Sequence, residues 1–129
     1  MLGLKYSISK FYKSDYRLYN VTTSLLGKKI GNFDFLINNN NNTLLTNMYI
    51  KEDYRRQNYG SFFLQKIENY VKQNYQSKNV RLLSDYQPII DATALSFFKQ
   101  NGYNVSYLNS KISQDNEGYY DLYFMEKKL

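Results

Sequence analysis

Seven consecutive residues, Arg55, Arg56, Gln57, Asn58, Tyr59, Gly60 and Ser61, combine the groups that a bound anion requires. They follow an apolar run ending in Met48, Tyr49 and Ile50 and a polar stretch, Lys51, Glu52, Asp53 and Tyr54. Beyond them apolar residues recur every three or four positions, so a strand passes into a helix through a short polar loop. The first amides of a helix have no intrahelical acceptor, and the helix dipole makes that end positive. A pyrophosphate is the kind of group such a terminus holds. Gly60 would let the backbone approach it closely, and Arg55 and Arg56 add mobile positive charge. Taken by itself the same segment also reads as a solvated turn carrying an arginine pair.

Carboxylates and hydroxyls make up the remaining chemical inventory. The chain has no cysteine and no histidine. That removes thiol nucleophiles, disulfide frameworks, the usual zinc sites and every histidine-based triad, and no metal is expected. Asp34, Glu52, Asp53 and Asp85 are the acids placed near apolar strands, where a raised pKa would make a carboxylate a general base. Each also reads as an ordinary surface acid.

The elements that must position these groups follow from periodicity. Residues 4–12 and 16–25 are rich in β-branched and aromatic side chains and read as strands. Gly27, Lys28 and Lys29 read as a turn, with a partner strand over residues 32–37. The asparagine run 38–42 makes the next turn, and residues 43–50 a fourth strand. Phe63, Ile67, Tyr70, Val71 and Tyr75 mark an amphipathic helix. Residues 80–84 form a short strand, after which Pro88 breaks the pattern. Asp91 stands where an N-cap belongs, before Ala92, Ala94, Leu95 and Phe98, and Gly102 closes this second helix. Residues 103–108 and 119–125 read as the final strands. The order ββββαβαββ implies an α+β domain: a mixed, mainly antiparallel sheet of about seven strands with two main helices packed on it.

At 129 residues, 43% hydrophobic and 18% aromatic, the chain supports one packed domain, residues 1–129. No apolar run reaches the length that spans a bilayer and no signal-peptide pattern opens the chain, so a soluble cytoplasmic protein, monomer or homodimer, is expected. The net charge of +6 suits a polyanion, and 15 tyrosines beside 17 Lys and Arg raise a base-stacking nucleic-acid reading. The basic residues are spread along the chain and no nucleic-acid motif is present, so that reading ranks last.

Two segments resemble the GCN5-related N-acetyltransferase (GNAT) family. Arg55 to Gly60 matches its Arg/Gln-x-x-Gly-x-Gly/Ala loop at Arg55 and Gly60, with Asn58 in place of the first glycine. Asp91 to Tyr103 matches its Asn-capped helix ending in Tyr-x-x-x-Gly-Phe, with Asp91 for Asn, Phe98 for Tyr and Tyr103 for Phe. The resemblance implies acetyl-CoA as co-substrate, bound where the fourth and fifth strands splay apart. Met48, Tyr49 and Ile50 would line the gap, residues 55–61 would hold the pyrophosphate, and Asp91 and Phe98 would belong to the same site. An unidentified amine acceptor, a small molecule or a protein, would attack the thioester directly, with Asp85 the preferred base because the fifth strand borders that gap. The family commonly places two helices between its first two strands, where here only a few residues around Lys13 to Tyr16 intervene. Its usual acid is the tyrosine aligned with Phe98, which has no proton to give. Tyr103, Tyr107 and Ser96 are the nearest hydroxyls, Tyr103 being preferred; the alternatives are unaided thiolate departure, or a domain that binds acyl-CoA without turning it over.

Overall fold

The computed structural model describes residues 3–12, 16–83, 92–112 and 119–129. Four antiparallel strands come first: β1 (Leu4–Tyr12), β2 (Tyr16–Leu25), β3 (Lys28–Asn38) and β4 (Thr43–Ile50). Helix α1 (Tyr59–Tyr75), strand β5 (Asn79–Leu83), helix α2 (Ala92–Gln100) and strands β6 (Asn104–Ile112) and β7 (Tyr119–Lys128) complete the order. They form one seven-stranded sheet in the order β1-β2-β3-β4-β5-β7-β6, parallel at β4–β5 and antiparallel elsewhere. The expected α+β architecture and element order therefore hold, with β1 paired antiparallel to β2 from Leu4–Leu25 to Tyr12–Arg17.

One boundary differs from expectation. The turn between β2 and β3 is Leu26 and Gly27, with φ of 51° and 83°, and Lys28 and Lys29 already belong to β3. Two left-handed residues match the right-handed twist of the flanking strands, which is why a two-residue loop takes this form. The extra length of β3 is accommodated by a bulge opposite Thr23 and Ser24, where Ile30 and Gly31 are both buried. The asparagine turn closes as expected, Asn38 Oδ1 accepting from the amides of Asn40 and Asn42 at 3.0 Å each.

Both described helices pack on one face of the sheet. Strand alternation sends Tyr19, Val21, Phe33, Phe35, Ile37 and Leu45 to that face, where they meet Phe63, Leu64, Ile67 and Val71 of α1 in one core cluster. Tyr19 stacks on Phe35 with ring centroids 4.8 Å apart, and Phe33 lies against Phe63 at 6.4 Å. The opposite face carries Leu18, Asn20, Thr22, Asn32, Asp34 and Leu36, all half-buried. No described helix covers it.

Helix α2 ends in a motif its sequence spells out. Gly102 takes φ 89°; its N–H bonds the Lys99 carbonyl at 3.1 Å and the Tyr103 N–H bonds the Phe98 carbonyl at 3.0 Å. This pair of bonds defines a Schellman cap, which is commonly sealed by a hydrophobic contact between the residues at its two ends. Here those residues are Phe98 and Tyr103, whose rings meet edge to face at 5.4 Å.

Candidate functional site

The site begins at a second bulge. Across the β3–β4 pair, Asp34 faces Asn47 but Phe35 faces Leu45, so Thr46 is the extra residue. Its hydroxyl donates to the Asp34 carbonyl at 3.2 Å. A bulge bends its strand and increases the local twist. On its other side β4 pairs with β5 only at Thr43–Val80 and Leu44–Arg81, so from the bulge onward it has parted from β5. The sheet therefore opens between the two parallel strands.

Which backbone groups face that opening follows from register. The Lys51 N–H bonds the Ile30 carbonyl at 2.7 Å, so this opposed pair is of the hydrogen-bonded kind. In an antiparallel ladder such pairs alternate with non-bonded ones. Counting back along β4, Tyr49 and Asn47 turn their N–H and C=O toward β3, whereas Ile50 and Met48 turn theirs toward the gap. The Ile50 carbonyl accepts from Arg55 Nε at 2.6 Å, as a group on the gap side can.

Leaving β4, the chain makes a single 3-10 turn, Glu52–Tyr54, and then the loop before α1. Arg56 and Asn58 are both left-handed, with φ of 60° and 66°. Asn is among the few non-glycine residues that accept this region readily, which is how Asn58 fills a position where glycine would be expected. It makes no side-chain cap, and the first main-chain bond of α1 runs from the Phe62 N–H to the Asn58 carbonyl at 3.1 Å. The amides of Tyr59, Gly60 and Ser61 thus precede the helical ladder. A left-handed residue followed by helical ones also turns successive N–H groups toward a common point, the geometry of a backbone anion nest.

The side chains of the loop are placed as follows. Arg55 bridges back to β4, its guanidinium 5.4 Å over the ring of Tyr49, which is 46% exposed. Arg56 is exposed beside the left-handed turn, and Gln57 Nε2 donates to the Asp53 carbonyl at 3.0 Å. Gly60 also has a packing role. A Cβ there would lie 3.1 Å from Met48 Cε and 3.3 Å from Phe97 Cε2, so it lets α1, α2 and β4 pack closely. Ser61 Oγ accepts from Asn101 Nδ2 at 3.1 Å, tying the start of α1 to the end of α2.

Of the remaining expected residues, Asp85 and Asp91 lie outside the described residues. Phe98 is 2% exposed and forms part of the core. Tyr103 does not suit the acid role expected of it. It is 3% exposed, and its hydroxyl donates to Glu68 Oε2 at 2.9 Å. Burial, reinforced by the adjacent Glu68 carboxylate, pushes that hydroxyl far above the ordinary tyrosine range, making it a poorer proton donor. Glu68 itself was not anticipated. It is 6% exposed on α1 and also receives Lys127 Nζ at 2.9 Å. Its position next to Ile67 on the buried face of α1 was the signal available; its partners lie on β7 and just past α2.

Comparison with known proteins bears directly on this arrangement. Residues 14–105 match the family model of the acetyltransferase (GNAT) domain. The chain belongs to the GNAT acetyltransferase family. Among solved structures, a Bacillus subtilis acetyltransferase in complex with CoA superposes with TM-score 0.74 at 10% identity, covering 98% of this chain and 99% of that one. The ribosomal-protein-S18-alanine N-acetyltransferase of Escherichia coli gives TM-score 0.70 at 17% identity, over 91% of this chain and 71% of that one. A Bacillus anthracis protein described as a streptothricin acetyltransferase, in complex with acetyl coenzyme A, gives 0.68 at 14% identity, over 92% of this chain and 65% of that one. No curated protein matches by sequence. At such identities these likenesses concern the fold. As a GNAT domain the chain keeps the parted strands and the strand–loop–helix of the family within 129 residues. No described helix is long and apolar enough to cross a membrane.

Proposed function

We propose that this GNAT domain binds acetyl-CoA in the gap between β4 and β5 and transfers its acetyl group to an amine. The observation that carries this reading is the parting of β4 from β5 after Leu44, directly upstream of a loop held open by left-handed Arg56 and Asn58. The amides of residues 59–61 and the charge of Arg56 receive the pyrophosphate. Met48 and Ile50 offer main-chain groups along the gap, and an N–H there polarises the thioester carbonyl. The amine nitrogen bonds to the carbonyl carbon as the C–S bond breaks; its surplus proton passes to a base and the thiolate takes one from solvent. Asp85, just past β5 in sequence, is our assignment for the base. No step is assigned to Tyr103, and a thiolate leaves without strong acid assistance because its pKa is moderate.

A second reading, acyl-CoA binding without efficient turnover, is favoured by one observation: the helix position where the family commonly carries tyrosine holds the buried Phe98. Product detection by mass spectrometry with a panel of primary amines separates the two, since any enzyme-dependent acetylation excludes the second. The cofactor site itself is tested by calorimetry on Arg56→Glu. This exposed charge reversal at a helix N-terminus should weaken acetyl-CoA roughly tenfold. Unchanged affinity would remove the loop from the site.

A further inference from the structure

The open face of the sheet carries one acid among the described residues that has no basic partner. Asp34 of β3 projects to the side opposite both helices, because its neighbours Phe33 and Phe35 face the core. Its Oδ1 accepts from Asn20 Nδ2 in a short contact and its Oδ2 from Asn47 Nδ2 in a long one of 3.4 Å. Neutral amides satisfy only part of a carboxylate, which offers about four lone-pair sites. The ion pairs described elsewhere are Arg81–Glu126 and Lys127–Glu68, so neither neutralises Asp34.

Around this carboxylate the sheet surface is hollowed. A cavity of about 270 Å³ is lined by Leu18, Tyr19, Asn20, Asp34 and Thr46. Leu18 continues across the register into Leu36 and Leu44, so an aliphatic row borders the acid on this face. Thr46 is the bulged residue at which β4 has parted from β5, and Asn47, opposite Asp34, precedes Met48, whose main chain faces the gap. The hollow therefore runs from β2 across β3 to Thr46 of β4, the strand that borders the opening.

We infer that Asp34 anchors the ammonium form of the acceptor, and that the acceptor is a small primary amine with a short aliphatic arm lying along Leu18. This assignment rests on the acetyl-transfer reading above and specifies the substrate class of that site. In a protein of net charge +6 a cationic acceptor needs a local negative group, and Asp34 supplies it one strand away from the gap. An ammonium donates up to three hydrogen bonds, and the free lone pairs of Asp34 accept them while the alkyl arm covers the leucine. Asp34 is a positioning and specificity residue; proton removal is a separate step.

The test is a titration of ¹⁵N-labelled protein with n-butylamine, cationic at neutral pH, and with 1-butanol as its uncharged counterpart. Butylamine should shift the amides of Asn20, Asp34 and Thr46 saturably, and butanol should not. Asp34→Asn should weaken the amine at least about tenfold. Leu18→Lys, which leaves Asp34 in place and seats a competing ammonium beside it, should do the same without depending on how Asp34→Asn folds. Equal shifts with butanol, undiminished binding in both variants, or no shift with butylamine would overturn the inference. Acetyl-CoA added to the same sample reports on residues 58–61 independently, so failure of the amine site and failure of the cofactor site read out separately.

Discussion

Replacing Tyr103 by Phe separates a structural tyrosine from a catalytic one. The substitution keeps the ring, and with it the 5.4 Å contact to Phe98 that seals the cap of α2. It removes the donor 2.9 Å from Glu68 Oε2, leaving this buried carboxylate with Lys127 Nζ at 2.9 Å. A hydrogen bond to a charged group contributes about 1.5–3 kcal/mol, so a loss of about 2 kcal/mol is expected. For a domain of this size that lowers Tm by roughly 6–10 °C. The assay is thermal unfolding followed by circular dichroism, paired with kcat measured well below the transition. Tm should fall while kcat changes little. The sign with pH also follows: the folded-state pKa of Tyr103 is raised above the unfolded value near 10. Its contribution is therefore complete below about pH 10 and lost at higher pH, where the unfolded chain ionises first. Wild type and variant should thus converge in stability as the solution becomes more alkaline. A Tm shift of less than about 1 °C together with a collapse of kcat would return Tyr103 to the role of acid.

Two further substitutions probe the geometry of the site. Asn58→Gly retains the left-handed φ of 66° without a side chain, so stability should hold or rise slightly and acetyl-CoA should bind at least as tightly, as calorimetry would show. Gly31→Ala places a Cβ against the Tyr49 carbonyl and 2.9 Å from Ile50 Cδ1, so it should cost more than about 2 kcal/mol in denaturant unfolding and displace the end of β4.

Much of this arrangement was legible because its signals are local. Alternation in β2 and β3, the three-and-four spacing of α1 and the Phe98–Gly102–Tyr103 spacing each encode an element within one turn or a few residues. The bulges at Ile30 and Thr46 left no mark, since an extra residue in one strand is defined only by the register of its partner. Yet the Thr46 bulge is where the sheet opens. Leu26 went unrecognised as a turn residue because a left-handed leucine is unusual. Glu68 was hidden for a different reason, because its hydrogen-bond partners Tyr103 and Lys127 are 35 and 59 residues away. Arg55 was identified as a loop residue, but its anchoring to Ile50 depends on how the loop folds back on β4.

The proposed cofactor site runs along the parted edge of β4, with the pyrophosphate of acetyl-CoA at the start of α1. Amide chemical-shift mapping during an acetyl-CoA titration tests it most directly. Saturable shifts should concentrate at Met48, Ile50 and residues 58–61. Shifts confined to other parts of the sheet, or none at saturating cofactor, would contradict it.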